Sequence, residues 1–96
     1  MRGGKQMDIT GSVHLRVTML GGKTGDQDAF GYIVKKAYQE ARDFCNVSEF
    51  PQEAEVYLVE WAAAEYLTET GGYSKQWDKM REKAELGLVR FRRVRW

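Results

Sequence analysis

The sequence predicts an all-α protein: a small single-domain bundle of three main helices at about 26–46, 51–70 and 74–92, with a short N-terminal element and a basic C-terminal arm. Three observations predict it. Apolar residues recur at three- and four-residue steps through most of the chain after Asp26, and residues suited to helix starts and stops bracket each run. Only one short segment alternates in the manner of a strand, and no second one exists to pair with it. Third, 96 residues that are 43% hydrophobic, with three Trp, five Tyr and four Phe, can fill one core without metal or disulfide. At this size only roughly 60 to 70% of the unfolded surface is buried, which leaves room for association as a supplement to stability.

Residues 1–7 are glycine-rich and basic and read as a flexible lead or a remnant of cloning, so that residues 8–96 form the single domain. The first element, "DITGSVHLRVTML", is ambiguous. Ile9, Val13, Val17 and Leu20 have helical spacing, whereas Val13, Leu15, Val17 and Met19 alternate. Without a partner strand a short helix is favoured, weakened by Gly11.

Gly22-Lys23-Thr24 has the closing letters of a phosphate-binding loop, but the required first glycine is Val17. The stretch is instead a glycine hinge. Thr24 with Gln27 can form a capping box, or Asp26 can cap the following helix.

That helix is the clearest element. Phe30, Ile33, Val34, Ala37, Tyr38, Ala41, Phe44 and Cys45 fill an arc of about 140°, and Asn46 is a permissible stop. The next begins at Pro51, favoured in a first turn, and ends at Gly71-Gly72. Its apolar residues, Val56 to Leu67, point almost all round the axis, so it belongs at the centre, where Ala62–Ala64 would let a neighbour approach closely. Ser74 can cap the third, whose core stripe is Trp77, Met80, Ala84, Leu88 and Phe91. Gly87 disfavours a helix interior by about 1 kcal/mol, so the helix either continues or stops there, leaving residues 88–96 as an arm. Leu86, Val89 and Trp96 fall on the side away from the stripe and suggest a partner surface.

Chemistry finds little purchase. Cys45 is the sole cysteine, which excludes an internal disulfide or a thiol zinc site and suits a reducing compartment such as a bacterial cytoplasm; its place on the apolar arc predicts a buried, inert thiol. His14 is the sole histidine, with no ligand cluster beside it, and reads as a surface or half-buried side chain. The glutamates of the central helix do not converge as an acid–base pair. No catalytic residue, metal site or cofactor is expected, and no apolar run reaches the roughly 18 residues of a membrane span.

Charge is more informative. The chain carries a net +1, yet residues 51–72 hold five Glu and no base, while residues 73–96 hold eight Lys or Arg against three acids. The closing "RFRRVRW" interleaves Arg with Phe and Trp, a pattern open to three readings: a solvated helix end, protein docking, or nucleic-acid contact.

Taken in order, "DQDAF" opening a helix, "FCN" closing it, "EFP" opening the next, a glycine-containing turn and the basic finish resemble the small head-tail connector proteins of tailed bacteriophages, over roughly Val13 to Trp96. The resemblance implies a helical virion adaptor, made in the host cytoplasm. It would assemble as a ring, typically of twelve copies, on the portal protein, and continue the DNA channel toward the next connector or tail protein. The free chain would then be a monomer or a ring precursor. Under that reading Arg90, Phe91, Arg92, Arg93, Arg95 and Trp96 are expected at the portal or the DNA channel. Leu86, Val89, Glu60, Glu65 and Glu69 are expected between subunits, the acidic helix facing a neighbour's basic tail. The alternative is a small helical nucleic-acid-binding module, a phage regulator, using the same basic C-terminus.

Overall fold

A computed structural model describes residues 7–93. Four helices account for the fold: α1 (Thr10–Met19), α2 (Gln27–Cys45), α3 (Glu55–Gly71) and α4 (Lys75–Leu88), with single 3-10 turns at Gln52–Ala54 and Val89–Phe91. Among the described residues there is no strand. The N-terminal element is thus a helix, and the helical set wins its contest: Ile9, Val13 and Val17 are buried while Leu15 and Met19 face outward. Gly11 does not prevent it, because burial of the two valines against α3 outweighs a propensity penalty of about 1 kcal/mol. Asp8 accepts from the Thr10 N–H at 3.1 Å, and that bond holds its carboxyl below the usual range. Of the lead, Met7 already packs on the core; residues 1–6 lie outside the described residues.

The glycine turn after α1 is tied down rather than loose. Gly22 donates to the Val17 carbonyl at 2.9 Å, the Tyr66 hydroxyl donates to the Lys23 carbonyl at 2.7 Å, and Thr24 is buried. A Cβ on Gly22 would stand 2.6 Å from Leu67 and 2.7 Å from Val17, so close approach explains this glycine. The Thr24 capping box does not form. Asp26 is the cap, accepting from the Ala29 N–H at 3.1 Å, while the Gln27 side chain reaches back to the Thr24 carbonyl.

α2 buries the expected arc, with Phe44 half-buried at its edge. It ends on Asn46 in the left-handed region (φ 56°), with Asn46 N–H donating to Asp43 and Val47 N–H to Arg42, a Schellman closure. Pro51 is extended (ψ 161°) and stands before a 3-10 turn, so α3 begins four residues later than its proline suggested. The reason is that Phe50 must first turn into the core against Tyr38, ring centroids 5.9 Å apart.

α3 is the central helix, packed against α1, α2 and α4. Ala62, Ala63 and Ala64 are all buried there, as is Trp61. One part of the expectation fails: Val56, in the first turn of α3, is exposed. Ser74 caps α4 by accepting from the Gln76 N–H. The helix neither stops at Gly87 nor runs to residue 92. It passes through the glycine, closes at Leu88 and adds one 3-10 turn, after which the backbone is extended at Arg92.

Candidate functional site

The sites suggested by sequence are surfaces, and α3 organises them. Three of its four glutamates each meet a base from a different helix: Glu60 takes a forked pair of bonds from Arg16 of α1 at 2.7 and 3.1 Å, Glu69 meets Lys36 of α2 at 2.9 Å, and Glu65 meets Arg81 of α4. Arg81 also reaches Glu85 at 3.2 Å and lies over the Trp61 ring, 4.0 Å from its centroid. The carboxylate beside Arg16 raises its affinity for the proton, and Glu69 does the same for Lys36. Glu65 behaves differently. Burial pushes its carboxyl above the usual value, and Arg81 only partly offsets this.

These glutamates were candidates for contact between subunits, yet in the folded chain all three are engaged by its own bases. The acid run on α3 carries no local bases because its counter-charges arrive from three other helices. That arrangement was not legible in a charge count along the chain.

The C-terminal candidates divide. Leu86 (74% exposed) and Val89 (49%) do project from α4 away from the core. With Phe44, Glu82 and Glu85 they line an open groove of about 330 Å³. Phe91 is half-buried on the core, and Arg90 lies over it, 4.8 Å from the ring centroid and 6.0 Å from that of Tyr57. Arg92 stands over Phe44 at 5.1 Å, and the Arg93 N–H donates to the Cys45 carbonyl at 2.8 Å. The start of the arm is therefore anchored to α2, and part of its Arg–aromatic interleaving is met within the chain. Arg95 and Trp96 lie outside the described residues.

Three further surface features stand apart from these candidates. Leu15 and Met19, one turn apart on α1, are 62% and 69% exposed. Lys75, Lys79 and Lys83 are exposed within an arc of about 80° on α4, and none forms an ion pair among the described residues. A polar recess at the end of α2, lined by Arg42, Asp43, Glu49 and Arg93 among others, mixes both signs of charge and recognises no single class of ligand. The alternation Val13, Leu15, Val17, Met19 was the signal that could have marked the first of these, since a helix cannot bury both halves of it.

Cys45 is buried, its Sγ donating to the Leu88 carbonyl at 3.5 Å, and burial pushes its thiol up. His14 is exposed, edge-on to Phe30. Among the described residues no group of three or more His, Cys, Asp or Glu is placed to hold a metal ion, and no helix is long and apolar enough to cross a membrane.

Fold and surface together define a small all-α domain whose distinctive features are exposed apolar and basic patches. No family model, curated protein or solved structure matches the chain.

Proposed function

We propose that this chain is a structural adaptor of a phage head-tail connector, a virion protein that forms a ring below the portal and continues the DNA channel toward the tail. One observation supports it above others: the sequence blocks that carry the resemblance fall at the ends of helices. "DQDAF" holds the Asp26 cap of α2, "FCN" ends in its left-handed Asn46, "EFP" leads into the turn before α3, and the basic finish begins in the 3-10 turn after α4 and becomes extended at Arg92. An adaptor needs a rigid core that positions a free arm and lateral surfaces, not a pocket. The bond from Arg93 to Cys45 fixes where such an arm leaves the bundle.

Because Glu60, Glu65 and Glu69 already have partners, a neighbour's arginines would have to displace Arg16, Arg81 and Lys36 to reach them. The arm is accordingly assigned to the portal or to DNA in the channel, with Leu86 and Val89 assigned to neighbouring chains. The test is co-purification with the cognate portal protein, followed by imaging for a ring beneath it. Replacing Arg90, Arg92 and Arg93 together by Glu should abolish portal attachment while the bundle stays folded. Normal attachment by that variant would remove the arm from the reading, and failure of the native chain to bind its portal would remove the reading itself.

A second reading, an independent nucleic-acid-binding module, draws on the Lys75–Lys79–Lys83 stripe together with the exposed arginines. It requires sequence-tolerant binding by the isolated chain that falls steeply with salt. Binding that persists only in a portal-bound ring would exclude it.

A further inference from the structure

The arginines differ in what their side chains meet. Arg16 and Arg81 are spent on glutamates of α3, and Arg42 donates to the Ser48 carbonyl at 3.3 Å and to the Gln39 side chain at 2.7 Å. Arg92 is exposed and forms no ion pair among the described residues. Its guanidinium lies 5.1 Å from the ring centroid of Phe44, on a different helix. Both peptide groups beside it are fixed as well: its own N–H donates to the Val89 carbonyl at 3.0 Å, and the Arg93 N–H to the Cys45 carbonyl at 2.8 Å. The ring beneath is confined in turn, because Phe44 meets Trp61 edge-on at 5.5 Å between centroids and Trp61 is buried.

Its neighbours in the arm have only half of this arrangement. Arg90 rests on the adjacent Phe91, with Tyr57 at 6.0 Å, the limit of such attraction. Arg93 has the backbone bond but lies over no ring among the described residues. Stacking occupies the face of a guanidinium and leaves its in-plane donors free, so Arg92 presents a fork whose position is set before any partner arrives. Glu82 and Glu85 line the groove beside Phe44, yet both leave Arg92 unpaired, and Glu85 is taken by Arg81. Screening the phosphates of a passing duplex needs charge alone, which any mobile Lys or Arg supplies. A fixed fork suits one fixed planar anion, and on a protein surface that anion is a carboxylate.

We propose that Arg92, laid on Phe44, is the specificity-determining contact of the arm and takes one carboxylate of a partner protein through a pair of parallel N–H···O bonds. Phe44 is its positioning residue, while Arg90 and Arg93 contribute charge. This rests on the adaptor reading, which supplies the portal as partner, and deepens it by assigning this arginine to protein rather than to DNA.

Charge-conserving substitutions test it, with affinity for the cognate portal protein and for random-sequence duplex DNA measured side by side. Arg92→Lys keeps the charge and loses the planar fork, and should weaken portal binding by at least about tenfold. Arg90→Lys and Arg93→Lys should change it little. Phe44→Leu should reproduce the loss and Phe44→Tyr should restore binding, with circular dichroism checking the fold. In the free chain the side-chain proton resonances of Arg92 should carry a ring-current displacement that Phe44→Leu removes; resonances indifferent to that substitution would overturn the proposal. So would portal binding by Arg92→Lys equal to native, or a loss confined to DNA. Native binding with Arg92→Lys unimpaired removes this contact and leaves the adaptor reading standing, whereas a native chain that ignores its portal removes the reading and this contact's partner together.

Discussion

The ring of Tyr57 on α3 lies where a side chain at position 87 of α4 would have to go: an ideal Cβ on Gly87 would stand 2.2 Å from Cε1 and 2.3 Å from Cδ1. No larger residue fits without moving the ring. The glycine that weakens α4 on its own therefore makes room for the Tyr57 ring of α3. Gly87→Ala should lower stability by about 1 to 3 kcal/mol, even though alanine is the better helix former by about 1 kcal/mol. Urea denaturation measures this, and shrinking the ring with Tyr57→Leu should recover part of the loss caused by alanine. An alanine variant as stable as the native chain would mean that the ring is not confined there.

Asn46 closes α2 at φ 56°, a conformation that most L-residues resist. Asn46→Gly should leave stability within about 0.5 kcal/mol of native or improve it, whereas Asn46→Ala should cost about 1 kcal/mol. The order of thermal midpoints decides the matter. Equal midpoints for the two variants would show that the left-handed closure contributes nothing.

Glu65 should give an unusual dependence on pH. Its folded carboxyl titrates above the ordinary 4.5, so the folded protein holds this proton more tightly than the unfolded chain does. Its contribution is then most favourable below that ordinary value and diminishes as pH rises through the folded one. Glu65→Gln removes the dependence. The midpoint of the native chain relative to this variant should be higher at about pH 4 than at about pH 7. The opposite slope would mean that the Arg81 ion pair outweighs burial.

Cys45 should resist thiol reagents in the folded state, because it is buried and its thiolate is disfavoured. Labelling should follow the rate of unfolding and accelerate in denaturant. Fast stoichiometric labelling in native buffer would contradict the buried placement.

The core of α2 was legible because its periodicity is long and unbroken and its ends carry a cap and a left-handed stop. α1 was harder, since Gly11 and the alternating valines support two periods; only packing against α3 chose the helical one. Pro51 misled by four residues, because a proline announces the end of the previous conformation more firmly than the start of the next. The outward placement of Leu86 and Val89 followed from helical phase alone. The exposure of Leu15 and Met19 was half legible: the alternation requires a helix to leave one half uncovered, and packing against α3 decided which half.

By itself the sequence determined the helical class, the core stripe of α2 and α4, the inert place of Cys45 and the basic character of the C-terminus, all of which depend on residues near one another in the chain. Tertiary structure decided what depends on meeting distant residues: that Glu60, Glu69 and Glu65 of α3 are matched by Arg16, Lys36 and Arg81, that Gly87 makes room for Tyr57, and that Arg93 is bonded to Cys45. The physical reason is the same in each case. Periodicity and capping are read within a turn or two of helix, whereas charge pairing and close packing join residues 16 to 44 positions apart, whose partners are fixed only once α3 has gathered the other helices around it.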